Sequence, residues 1–201
     1  SFNNRFIKQK PQTQSIKWNS ILFSNVRSCK NKLDELKATV QQHDCDINLF
    51  TESWLNCSIK DNITSINGYN QFRRDRENKG GGGIVVYCRQ EILVTVLSSQ
   101  NPFNFEILPI LIVKTKILYI CIYHPYWEDT EAHGNIIDTL FQIISEAQRQ
   151  VSSRLRVAIL VDFNGLVSRM DVLSRTFQLT NFVDRDCKPK IVQKCRSSNR
   201  M

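Results

Sequence analysis

Ile159-Leu160-Val161-Asp162-Phe163-Asn164 closes an apolar run with a carboxylate, an aromatic ring and a carboxamide. The run begins near Arg156 and predicts a buried strand. Side chains alternate along a strand, so Asp162 and Asn164 fall on one face. An acceptor and a donor fixed side by side at a strand end suit a water, a metal or a phosphate. That makes a layered fold with chemistry at a strand edge the first expectation.

Working outward, Glu131 to Val151 carries Ile136, Ile137, Leu140, Phe141 and Ile144 at helical spacing. Before it, Ile84–Tyr87, Ile92–Leu97, Phe105–Val113 and Ile117–Tyr123 predict strands joined as an antiparallel meander. At the front, Ile21-Leu22-Phe23 predicts a strand ending at Ser24-Asn25. Leu33, Leu36 and Val40 predict a helix over Ser28–His43, with Ser28 as its cap. Asp46–Thr51 predicts a second strand, ending at Glu52. Strand, crossover helix and strand within about thirty residues have the size of a βαβ unit. Residues 53–70 read as loop and turn, and Leu173 and Phe177 suggest one more helix. The order points to an α/β sandwich with mixed sheets. Gly80–Gly83 lacks the preceding strand and following helix of a dinucleotide loop, and no Walker sequence occurs.

The 201 residues, 41% of them hydrophobic, suffice for one domain with a sizeable core. No apolar run is long enough to span a membrane, and the N-terminus shows no secretory segment. Seven cysteines, an odd number with no Cys-x-x-Cys pair, argue for reduced intracellular thiols rather than a disulfide framework or zinc site. The net charge of +8 sits at the ends: residues 1–17 carry +4 and residues 185–201 carry +5, leaving −1 between them. Residues 1–17 and 183–201 therefore read as basic tails around a domain at 18–182. Such tails are solvated arms that also attract a polyanion.

Several predicted strands end in polar residues: Asn25, Glu52, Tyr123, and Asp162 with Asn164. If parallel neighbours align these ends, one rim collects all five. Hard oxygen ligands of this kind suit Mg²⁺, which takes one or two carboxylates and keeps several waters. Taken singly, each has an ordinary role: Glu52 as a turn cap, Tyr123 in packing, Asp162 and Asn164 as turn residues. Arg73, Arg74 and Arg76 read either as a solvated face or as a phosphate clamp. The joint pattern is what favours a site.

Six words in order carry a resemblance. They are Ser24-Asn25-Val26-Arg27-Ser28; Thr51-Glu52-Ser53-Trp54-Leu55; Gly68-Tyr69 with Arg73-Arg74-Asp75-Arg76; Gly80–Gly83 leading into Tyr87; Tyr123-His124-Pro125; and Asp162-Phe163-Asn164. With them the chain resembles the endonuclease/exonuclease/phosphatase superfamily, and within it the apurinic-type endonuclease domain of LINE-type (non-long-terminal-repeat) retrotransposons. The resemblance implies a four-layered α/β sandwich, two mixed and mainly antiparallel sheets flanked by helices, with the site at their upper edge. It implies Mg²⁺ (or Mn²⁺) on Glu52 with Asn25 nearby, Tyr123 against the scissile phosphate, Asp162 on the attacking water, and Asn164 on that water or the phosphate. Arg73, Arg74 and Arg76 become candidate nucleic-acid contacts. The implied activity is nicking of DNA to leave a 3′ hydroxyl that primes reverse transcription. The implied partners are DNA and a reverse transcriptase domain in a parent polyprotein, and the implied location is the nucleus.

Two departures stand out. Val161 occupies the position before Asp-Phe-Asn where the family usually has glycine. The family's closing Ser-Asp-His word is absent, since the three histidines are His43, His124 and His133. The expectation is therefore a domain whose last strands are missing. Loss of one phosphate-facing donor costs roughly 10²–10³ in rate in other enzymes. A non-catalytic remnant that binds nucleic acid, and a phosphatase or phosphodiesterase of the same superfamily, are the alternatives.

Overall fold

The structure, a computed structural model, describes residues 18–76, 80–98, 105–125, 131–162 and 190–192. Four layers stack on three apolar interfaces. The elements are β1 (Ile21–Asn25), α1 (Leu33–His43), β2 (Ile47–Thr51), α2 (Asp61–Thr64), β3 (Tyr69–Arg74), β4 (Ile84–Arg89), β5 (Thr95–Val96), β6 (Glu106–Ile112), β7 (Ile117–Tyr123), α3 (Glu131–Arg149), β8 (Arg156–Asp162) and β9 (Lys190–Val192). One sheet has the order β3-β4-β2-β1-β9 and the other β5-β6-β7-β8. Among the described residues no helix is long and apolar enough to cross a membrane.

The central interface packs Ile47, Leu49, Ile84 and Val86 of the first sheet against Leu108, Ile110, Ile117, Tyr119 and Cys121 of the second. The outer face of the first sheet offers Leu22, Phe50, Val85 and Tyr87 to Leu36 and Val40 of α1. The outer face of the second offers Ile107, Leu111, Leu118, Ile120 and Ile122 to Ile136, Leu140, Ile143 and Ala147 of α3. Strands covered on both faces need apolar side chains in both alternations. That is why β7 and most of β6 read as continuous apolar runs, and why β2, β6 and β7 are buried throughout.

Two parallel pairs set the position of the rim. β1 pairs β2 with Asn25 opposite Thr51, and β7 pairs β8 with Tyr123 opposite Asp162. Of the strand ends chosen from sequence, Asn25, Tyr123 and Asp162 lie in these registers, and Glu52 directly follows Thr51.

Several expectations are corrected. The middle strands are not one meander: β4 pairs β2 and β3 in the first sheet, whereas β5–β7 lie in the second. Only Thr95–Val96 of the expected 92–97 strand is paired. Ser28 does not cap α1. It has φ 85°, its N–H donates to the Glu52 carbonyl (2.7 Å), and the helix starts after Lys32 without a side-chain cap. α2 and the first two residues of β3 occupy the stretch read as loop, and polar and arginine residues mask the strand period in Tyr69–Arg74. Lys190–Val192, inside the expected basic tail, pairs antiparallel with β1. The helix expected around Leu173 and Phe177 lies outside the described residues.

Candidate active site

The rim is built from strand termini and one unusual turn. Asn25, Thr51, Tyr123 and Asp162 are the last residues of β1, β2, β7 and β8. Glu52 follows β2 in the left-handed region, φ 52°, where non-glycine residues are uncommon. The Asn25 amide joins the two carboxylates. Its Nδ2 donates to Glu52 Oε1 (2.8 Å) and to Asp162 Oδ2 (2.8 Å). Its Oδ1 accepts the Arg27 N–H (3.0 Å), so both ends of the amide are fixed. The Thr51 hydroxyl adds a second bond to Asp162 Oδ2 at 2.7 Å. The Tyr123 hydroxyl donates to Glu52 Oε1 at 3.3 Å.

Burial, reinforced by the charge of Glu52, pushes the Tyr123 phenol far above its usual range. The hydroxyl therefore stays protonated and serves as a donor at any ordinary pH. Under the ring lies the Arg76 guanidinium, 5.5 Å from its centroid. Arg76 pairs with Glu106 through Nε to Oε1 and Nη2 to Oε2 (3.1 Å), with side chains only 7% and 6% exposed. Desolvation raises the Glu106 pKa, and Arg76 opposes that rise. Glu106 stands opposite Tyr123 in the β6–β7 ladder, so the ion pair ties the end of β3 to the second sheet directly beneath the tyrosine.

A cleft of about 530 Å³ opens over these groups, lined by Glu52, Tyr123, Arg76, Lys30, Trp54 and the glycines at 80–82 among others. Gly82 and the neighbouring Gly83 are required by shape. A Cβ on Gly82 (φ 66°) would stand 2.7 Å from Arg76 Nε, and one on Gly83 (φ 84°) 2.7 Å from Ser53 Oγ.

The donor set fits a hard divalent cation. Glu52 Oε2 accepts no hydrogen bond from the described residues, while Oε1 is held by Asn25 and Tyr123. Among the described residues no cluster of three or more His, Cys, Asp or Glu could form a closed metal cage. One or two carboxylates with waters and substrate phosphate completing the shell is the pattern Mg²⁺ uses.

A family model described as the Endonuclease/Exonuclease/phosphatase family matches residues 21–184. The chain belongs to this family. No sequence among curated proteins matches it. Solved structures share the fold at low identity. A 3′ phosphatase from Neisseria bound to product DNA hairpin is 13% identical (TM-score 0.51), over 73% of this chain and 58% of that one. A mannosyl-6-phosphatase of Bacteroides thetaiotaomicron is 16% identical (TM-score 0.52), over 72% and 65%. The human Nocturnin catalytic domain with bound sulfate is 10% identical (TM-score 0.50), over 73% and 64%. The chain thus spans less than two thirds of the length of these proteins. Family membership and fold follow from these matches.

Of the residues singled out in the sequence, Asn25, Glu52, Tyr123 and Asp162 converge, and Asn164 lies outside the described residues. The three arginines separate. Arg73 is bound to Asp61 Oδ1 (2.7 Å), Asp75 Oδ2 (2.5 Å) and the carbonyls of Ile59 and Asn56, so its guanidinium braces a loop instead of facing a ligand. Arg76 sits under Tyr123. Arg74 is exposed at the end of β3, in register through Ile84 with Thr51. Val161 packs toward α3, on the face of β8 opposite Asp162, so its bulk does not meet the site. Thr51 and Glu106 were missed. The available signal for Glu106 was a lone charged residue at the end of an otherwise apolar strand.

Proposed function

We propose that this chain is a divalent-metal-dependent phosphodiesterase domain that nicks one strand of DNA, of the kind LINE-type retroelements use to open a target site. The observation that carries the reading is the Asn25 amide joining Glu52 to Asp162 while Tyr123 donates to Glu52. It supports reading Glu52 as the metal ligand, Asp162 as the base and Tyr123 as the group that donates to the phosphate, since the four side chains meet beside an open cleft. Glu52, with Asn25 beside it, would hold Mg²⁺ or Mn²⁺. The bound ion would supply positive charge to the phosphoryl oxygen and so offset the charge that grows in the transition state.

The chain's own groups do the rest. Thr51 and Asn25 hold Asp162 Oδ2 and set the carboxylate plane. Asp162 thereby orients the attacking water and accepts its proton. Tyr123, protonated throughout, donates to a nonbridging phosphate oxygen. The resemblance gives Asn164 the role of helping to hold the water or the phosphate. Arg74 and Lys30 flank the path of the strand as cations. In-line attack on the phosphorus leaves a 3′ hydroxyl and a 5′ phosphate.

Supercoiled plasmid incubated with the 201-residue chain tests this. Open circles should form with Mg²⁺, fail with EDTA, and fail with Asp162→Ala. A polymerase should extend the nicks without prior end repair. Nicks that a polymerase cannot extend, or phosphate release from a sugar phosphate in place of nicking, would overturn the reading.

A further inference from the structure

The turn that delivers Glu52 delivers a second side chain that the reaction leaves unused. Glu52 and Trp54 both adopt left-handed backbone, φ 52° and 54°, on either side of the fully buried Ser53. L residues rarely take that conformation unless the surroundings fix it. Here they do. Ser28 and Cys29 N–H groups donate to the Glu52 and Ser53 carbonyls (2.7 and 2.8 Å). The Ser53 and Trp54 N–H groups donate to the Gly83 and Gly82 carbonyls (3.2 and 2.9 Å). The result turns Glu52 inward and sends the indole across Gly81, where a Cβ would stand 3.7 Å from its Nε1. Trp54 is 42% exposed, while the adjacent Leu55 is 3% exposed, so the local chain had a buried place for an apolar residue and did not give it to the tryptophan.

We infer that Trp54 is a stacking platform for one unpaired nucleobase next to the scissile phosphate, with Lys30 meeting a neighbouring phosphate. This rests on the DNA reading above. Both residues line the same cleft as Glu52 and Tyr123. A sugar ring would also stack on an indole, but its hydroxyls need a surround of polar partners. Of the polar groups that line the cleft, Glu52, Tyr123 and Arg76 are engaged with one another or with Glu106, and Lys30 and Asn56 are the others. A base needs only a π face, and stacking tolerates any sequence. Within a duplex both faces of a base are covered by its neighbours. The platform therefore selects sites where a base is already unpaired or leaves the stack at low cost.

Two variants and three DNAs test this. Binding of a dye-labelled single strand and of the fully paired duplex is measured with EDTA present. Cleavage of a duplex carrying a short mismatched bubble is then compared with that of the paired duplex in Mg²⁺. Wild type should favour the single strand and the bubble. Trp54→Ala should weaken single-strand binding roughly ten-fold or more, with little change on the duplex. Trp54→Phe, which keeps a ring, should recover most of the preference, and urea midpoints of both variants should stay near wild type. Equal losses on both DNAs, an unchanged preference in Trp54→Ala, or failure of Trp54→Phe to recover it would overturn the platform while leaving nicking intact. A wild-type chain that binds neither DNA and hydrolyses only a sugar phosphate would overturn the DNA reading itself, and the platform with it.

Discussion

Replacing Arg76 by alanine strands Glu106 in the interior beneath Tyr123. In the native protein the two side chains are almost fully covered and bound through two contacts. Removing one partner of such a pair destabilises by about 3–5 kcal/mol, because the other charge stays buried without compensation. A urea slope of about 2 kcal/mol per molar turns that into a midpoint shift of about 1.5–2.5 M. The pH dependence separates the pair from a general packing loss. The folded-state pKa of Glu106 is already raised, by desolvation that Arg76 opposes. A carboxyl with a raised folded pKa stabilises the fold fully below its unfolded value, and that contribution is lost as pH rises through the folded value. Without Arg76 the rise is larger, so the deficit should be small near the usual carboxylate range and should grow toward neutral pH. Glu106→Gln instead leaves Arg76 charged and removes the titrating group, so its deficit against wild type should not grow toward neutral pH. Arg76→Met with Glu106→Leu removes both charges and should recover most of the stability. Urea titrations of the four proteins across this pH range provide the measurement. An Arg76→Ala deficit equally large under acidic and neutral conditions, or a double variant as unstable as the singles, would refute the buried-pair reasoning.

Thr51→Val keeps the shape of the side chain but removes the 2.7 Å bond to Asp162; denaturation should show a loss of about 1.5–3 kcal/mol, and nicking should slow with it. Gly83→Ala forces a Cβ against Ser53 at φ 84° and should cost about 1–3 kcal/mol, whereas Gly80→Ala, with nothing within 4 Å, should leave the urea midpoint unchanged. Tyr123→Phe should lower the rate of nicking while circular dichroism stays native, since the phenol faces the cleft and its ring packing is retained. Glu52→Gln should shift the Mg²⁺ concentration for half-maximal nicking upward by an order of magnitude or more, read from a metal titration; an unchanged titration would remove Glu52 from the metal site.

The layers were legible because burial on both faces leaves a plain signature. β2, β7 and β8 are apolar runs, and each ends where a polar residue meets the rim. The parallel pairing that aligns Asn25 with Thr51 and Tyr123 with Asp162 was inferable from one crossover helix before each second strand. The split of the middle strands between two sheets was not, since pairing partners of a fully buried strand leave no mark on its own sequence. β3 was hidden for the opposite reason: Arg73 within it is half-buried and drawn into ion pairs, which a hydrophobicity pattern does not register. Arg73, Arg74 and Arg76 are nearly adjacent in sequence yet do three different things. Only the positions of Asp61, Asp75 and Glu106 in space distinguish them. The left-handed turns at Glu52 and Trp54 were equally invisible, because neither residue type favours that conformation.

Parallel assays of one preparation test the central claim most directly: nicking of supercoiled plasmid and phosphate release from a sugar phosphate, each with Mg²⁺ and with EDTA. Expected are open circles with Mg²⁺ alone, none in EDTA or with Asp162→Ala, and no phosphate released. Phosphate release without open circles, or circles that persist in EDTA or with Asp162→Ala, would contradict a metal-dependent DNA phosphodiesterase built on Asn25, Glu52, Tyr123 and Asp162.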